Sequence, residues 1–139
     1  MRVEINTIVS ILGTVVLFLF GGWSMLLNVL LFVMICDYLS GLAVACSGKS
    51  KKSKKGGLSS KVGFKGLLKK CFILVILTVA YRIDLVVNAN HLLYDAVVLF
   101  YISNESISIL ENAAILEVPI PEKLRNVIDD LREEKDNEG

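Results

Sequence analysis

Six polar residues stand inside runs that are otherwise apolar: Asp37, Asn104, Glu105, Ser108, Glu111 and Asn112. Hydrocarbon cannot satisfy carboxylates, amides or hydroxyls, so such groups must meet protein or water. Two uses follow. They can be buried polar glue between helices, or they can line a wet lumen. Catalysis is not among the uses. The only histidine, His91, lies in a short turn without metal-ligand spacing around it. There is no Gly-rich phosphate loop, and no Ser or Cys has a recognisable activating partner. Cys36, Cys46 and Cys71 are odd in number and scattered, which reads as small hydrophobes in a reducing environment. Neither a catalytic group, a bound metal nor a cofactor is expected.

The elements that must position these groups are membrane helices. The chain has 139 residues, 54% of them hydrophobic, with a mean hydropathy of +0.62. A soluble domain of this size cannot bury so much apolar material. The expected fold class is all-α: a polytopic membrane protein with three or four transmembrane helices, a basic cytoplasmic loop and a short C-terminal amphipathic helix. A first segment covers 5–20. At about 24 Å of helix it is short for a bilayer core of about 30 Å, so it either spans with help from its flanks or lies at the interface. Its n-region, MRVEIN, is weak, with one Arg and one Glu, and no small-x-small cleavage site follows, so it is read as retained. Gly21 and Gly22 interrupt the pattern, and Trp23 suits the interface. A second segment covers 23–45, a third 67–87 and a fourth 92–113. In the fourth, Tyr101 and the polar residues from Asn104 to Asn112 fall along one face at helical spacing, with Ile102, Ile107, Ile109, Leu110 and Ala113 on the other. In the second, Asp37, Gly41 and Ala45 share a face. Gly41 and Ala45 make a small-xxx-small pair suited to close helix packing.

Residues 46–66 form a loop that fixes orientation. Lys49, Lys51, Lys52, Lys54, Lys55, Lys61, Lys65, Lys69 and Lys70 crowd this region and its exit, and no acidic residue occurs between Asp37 and Asp84. Such blocks stay in the cytoplasm. They also attract anionic lipid headgroups, at about 1 kcal/mol per lysine near the surface. Nucleic acid is not expected as a partner, because interleaved aromatics are missing. Arg82 and Asp84, near the far end of the third segment, pair with each other or snorkel outward. Pro119 and Pro121 end the fourth segment. The tail helix, 121–135, carries Leu124, Val127, Ile128 and Leu131 on one stripe.

Three stretches together resemble the toxin secretion/phage lysis holin family: CDYLSGLAVA before the loop, SSKVGFKGLLKK after it, and NESISILENAAILEVPIPEKL near the end. The resemblance covers about Cys36 to Leu131. It places the family pattern on Asp37, Tyr38, Gly41, Ser60, Lys61, Gly63, Lys65, Gly66, Lys69, Asn104, Glu105, Ser108, Glu111, Asn112, Pro119, Pro121 and Glu122. Ser106 stands where the family commonly has Gly, and the lysine run is unusually long. The resemblance implies a non-enzymatic pore former of the bacterial cytoplasmic membrane. Such a protein self-associates and releases an endolysin or exports a large protein toxin. The residues alone leave two alternatives open: a small regulatory or scaffold protein whose tail helix binds a partner, and a selective ion channel or transporter.

Overall fold

The computed structural model describes residues 1–127 and residue 130. Among them the regular structure is helical: α1 (Arg2–Phe20), α2 (Met25–Cys46), α3 (Ser60–Val87) and α4 (Leu92–Ile115). The chain is an all-α polytopic membrane protein. Three of the helices, α1, α2 and α4, are long and apolar enough to cross a membrane. The apolar part of α3 carries Lys70, Arg82 and Asp84, and each of these side chains has a partner inside the fold. Part of the tail helix expected at 121–135, including Ile128 and Leu131 of its stripe, lies outside the described residues. A helical stretch does begin after Pro121, whose carbonyl accepts from Leu124 and Arg125 N–H groups, and Leu124 and Val127 are exposed.

Helix α1 starts at Arg2 rather than Ile5. Arg2 and Glu4 interrupt apolarity but not helix propensity. The added turn brings α1 to about 28 Å, close to the thickness of the hydrocarbon core. None of its residues is buried by the rest of the chain. Its hydroxyls are self-sufficient: Thr7, Ser10 and Thr14 each donate to the carbonyl four residues back, all at 2.8 Å, which suits a helix that lipid surrounds. Gly21, at φ 76°, closes α1. Ser24 caps α2, its hydroxyl accepting from Leu27 N–H at 3.1 Å.

Helices α2 and α4 run parallel and form the main contact. Their register is fixed at three levels: Asp37 near Glu105, Ser40 against Asn112, and Lys49 against Glu117. Helix α3 runs antiparallel to both and packs mainly on α4. A chain that crosses twice in one direction must return in between, and α3 is the return. Its 28 residues give about 42 Å of helix.

The inward faces obey a 3-4 spacing. On α2 the face is Leu27, Leu30, Met34, Asp37, Gly41 and Val44; on α3 it is Lys70, Ile73, Leu77, Ala80 and Asp84. On α4 it is Tyr94, Val98, Tyr101, Glu105, Ser108 and Asn112. This is the seam of a coiled-coil-like bundle. Its half away from the lysine loop is apolar, with Leu27, Leu30, Met34, Ile73, Leu77, Tyr94 and Val98 in one cluster. Its half toward the loop is polar.

At the end away from the loop, Asp84 and Arg82 do not pair. Two residues apart on a helix, they point to different sides. Asp84 is buried and accepts from the backbone N–H groups of Leu93 (3.1 Å) and Tyr94 (2.6 Å). It therefore caps α4 from a neighbouring helix, where His91 supplies no side-chain cap. Arg82 donates to the Phe18 carbonyl at 2.7 Å and lies 4.2 Å from the Phe18 ring centroid, tying α1 to α3. Asp84→Ala leaves two amides without their acceptor. It is expected to lower stability by about 1–3 kcal/mol, read from thermal loss of helical circular dichroism in micelles. Asp84→Asn keeps an acceptor oxygen and should lose less.

Candidate functional site

Midway along the seam, one ionisable residue from each of α2, α3 and α4 converges. The Lys70 ammonium donates to Oδ2 of Asp37 at 2.7 Å and also pairs with Oε2 of Glu105. The side chains of Asp37, Lys70 and Glu105 are 16%, 12% and 2% exposed. Lys70 is thus not one of the headgroup-facing lysines, where the sequence reading puts it. Its spacing from Ile73 and Leu77 puts it on the buried face, 100° around the helix from Lys69. The other eight lysines are exposed.

A single carboxylate at a helix centre costs roughly 2.5–3.5 kcal/mol on insertion scales. Pairing removes much of that cost here, though not all. With both carboxylates ionised, one ammonium faces two negative charges. Oδ1 of Asp37 has no hydrogen-bond partner among the described residues; the Ser108 side chain lies beside this carboxylate but outside hydrogen-bond geometry. A cavity of about 150 Å³ is lined by Asp37, Lys70 and Ser108 together with Lys52, Ser59 and Lys69. It joins the cluster to the loop, and it is roomy and polar enough for water.

One turn toward the loop a second polar contact crosses the same seam. Asn112, buried, donates through Nδ2 to Ser40 Oγ at 2.8 Å, and Ser40 donates to the Asp37 carbonyl at 2.9 Å. Gly41 faces Asn112 across this contact; an added Cβ would stand 3.8 Å from Nδ2. Gly41 therefore packs within the chain, and Ala45 lines the cavity of about 150 Å³ beside the cluster. Asn104 and Glu111 flank the seam and each has an interaction of its own. The six polar residues singled out in the sequence thus fall on or beside one interface between α2 and α4. Sequence reasoning missed Lys70 and Ser40 as its partners, and Asp84 as the cap of α4 at the other end. At the loop, Lys49 and Glu117 pair at 2.9 Å, and the ammonium holds the Glu117 carboxylate below its usual range. The contact is exposed and contributes little energy, but it puts the loop and the end of α4 at one end of the bundle.

Chemically, this is an ion-pair cluster with access to water, and no group of metal-ligating residues is present among the described residues. The model of the bacteriophage holin family matches residues 14–133, which takes in all three ionisable groups and both flanks of the loop. The chain belongs to the bacteriophage holin family. Relatives of this holin-family chain occur in Listeria, Clostridium and Bacillus species. An uncharacterized protein of Listeria innocua is 41% identical over 116 residues, 84% of this chain and 78% of its own length. The uncharacterized 14.9 kDa protein in the nagH 3′ region of Clostridium perfringens is 42% identical over 125 residues, 89% of each. The uncharacterized protein YqxH of Bacillus subtilis is 36% identical over 119 residues, 86% of this chain and 79% of its own. No solved structure matches this holin-family chain.

Proposed function

We propose that this chain is a holin that acts without enzymatic chemistry. It accumulates in the bacterial cytoplasmic membrane with the basic loop and C-terminus inside. Several copies then assemble into a pore, through which an endolysin reaches the cell wall or a large protein toxin leaves the cell. The observation that carries this reading is the Asp37–Lys70–Glu105 cluster. It provides a polar face, built into membrane helices, that one chain can satisfy internally.

Four helices enclose too little space for a protein to pass, so a pore requires many copies. In the single chain the polar residues of α2 and α4 face each other, which keeps them out of lipid. Parting α2 from α4 would turn Asp37, Asn104, Glu105, Ser108, Glu111 and Asn112 toward water. Assembly supplies that water, since a ring of such faces encloses it. The cluster then acts as a latch: it makes the monomer compatible with lipid and must break for the pore to form.

Expression in bacteria should leave growth and membrane potential intact for a delay and then collapse the potential abruptly. Cells that contain well-inserted protein and keep full potential would sink this reading. The water-accessible cavity beside Asp37 and Lys70 also suits a narrow, selective ion path through one chain. Solute release from vesicles separates the two: passage of folded protein supports the holin, and discrimination among small ions supports the channel.

A further inference from the structure

We infer that the cavity between α2, α4 and the lysine loop is a binding site for one anionic phospholipid. Its phosphate would sit among Lys51, Lys52 and Arg125, and its acyl chains would lie against α4. The inference rests on the membrane reading of the fold and on nothing about the pore.

The cavity measures about 450 Å³, within the range of about 300–1,000 Å³ typical of small-molecule sites. Its lining has two chemistries. Lys51, Lys52 and Arg125 form one part together with Ser50, and these three cations outnumber the one carboxylate, Glu111. Val44, Leu110 and Ile115 form the other. A free phosphate has no use for the apolar wall, and a hydrocarbon has none for the cations. A phospholipid with net negative charge matches both.

The loop holds its cations in place by folding on itself. Ser50 N–H donates to the Gly56 carbonyl at 2.9 Å, and Gly56 N–H to the Ser53 carbonyl at 3.1 Å. Gly56 has φ 70°, and any Cβ there would run into the Gly48 carbonyl oxygen, so only glycine lets the two strands of the loop meet. The Lys49–Glu117 pair anchors its base. Lys54 and Lys55 sit at the tip of this fold and do not line the cavity. A diffuse headgroup attraction would use all loop lysines alike; a site uses the ones that line it.

The test uses the full-length protein in nanodiscs of mixed phosphatidylglycerol and phosphatidylcholine, with spin-labelled phosphatidylglycerol as the probe. Lys51→Gln/Lys52→Gln/Arg125→Gln is expected to weaken selective immobilisation of the probe by about fivefold per charge. Lys54→Gln/Lys55→Gln/Lys61→Gln removes as many charges from outside the cavity and should leave it near wild type. Equal losses in the two variants would overturn the site. All six side chains are exposed, so neither variant threatens the fold. Ala114→Trp should fill the cavity and release the probe with every charge intact; unchanged immobilisation there would also overturn it. Glycerol 3-phosphate in excess should fail to displace the probe, and displacement would reject a lipid as occupant. None of these readouts depends on lysis, so failure of the site and failure of the pore reading remain distinguishable.

Discussion

Lys70→Met is expected to destabilise the purified protein by about 3–5 kcal/mol, because it leaves two carboxylates facing each other in a buried seam with no counter-charge. Among the described residues, Lys70 is the one cation bonded to both Asp37 and Glu105. Thermal unfolding in micelles measures the loss. A second variant, Asp37→Asn/Lys70→Met/Glu105→Gln, should recover most of it, since replacing a whole buried ionic network by neutral groups is often close to neutral. The two variants should also part company in cells. The single variant has a broken latch and should depolarise the membrane early. The triple variant should accumulate well but permeabilise poorly, because its polar face has lost its charges. If Lys70→Met melts like wild type, the cluster is not what holds α2, α3 and α4 together.

The second large effect comes from tying α2 to α4. Ser40 Oγ and Asn112 Nδ2 are 2.8 Å apart across the seam. With Cys36, Cys46 and Cys71 replaced by Ala, a Ser40→Cys/Asn112→Cys chain can be joined by a short bis-methanethiosulfonate reagent, which forms a reducible disulfide with each thiol and releases methanesulfinate. The joined protein should insert and accumulate but fail to collapse the membrane potential, and a reductant should restore collapse within minutes. Full activity in the joined state would mean that the helices need not part, and the polar face would then be packing alone.

Much of this arrangement is legible in the chain, and the misses have physical reasons. Asp37 and the Asn104–Asn112 stripe stand out because they are polar where lipid should be. The second, third and fourth segments are clear because apolar runs of that length have few other uses. Lys70 hides in a run of lysines, and only its 3-4 spacing from Ile73, Leu77 and Asp84 gives away its inward face. Asp84 stands two residues from the wrong partner, Arg82. Its real partners, the Leu93 and Tyr94 amides, are backbone groups that carry no sequence signal. Ser40 is ordinary until Asn112 is brought beside it. The parallel match of α2 with α4 is a long-range fact, and periodicity within a helix does not specify which helix it meets.

Under the holin proposal, a polar face sealed inside one chain becomes the wall of a pore shared by many. Ser108 sits on that face, lining both cavities on the loop side. A Ser108→Cys chain, otherwise free of cysteine, can be probed in cells with a bulky charged thiol reagent added from outside. Position 108 should be unreactive while the membrane potential holds and modified rapidly once it collapses. Labelling before collapse, or protection that persists after it, would contradict the account.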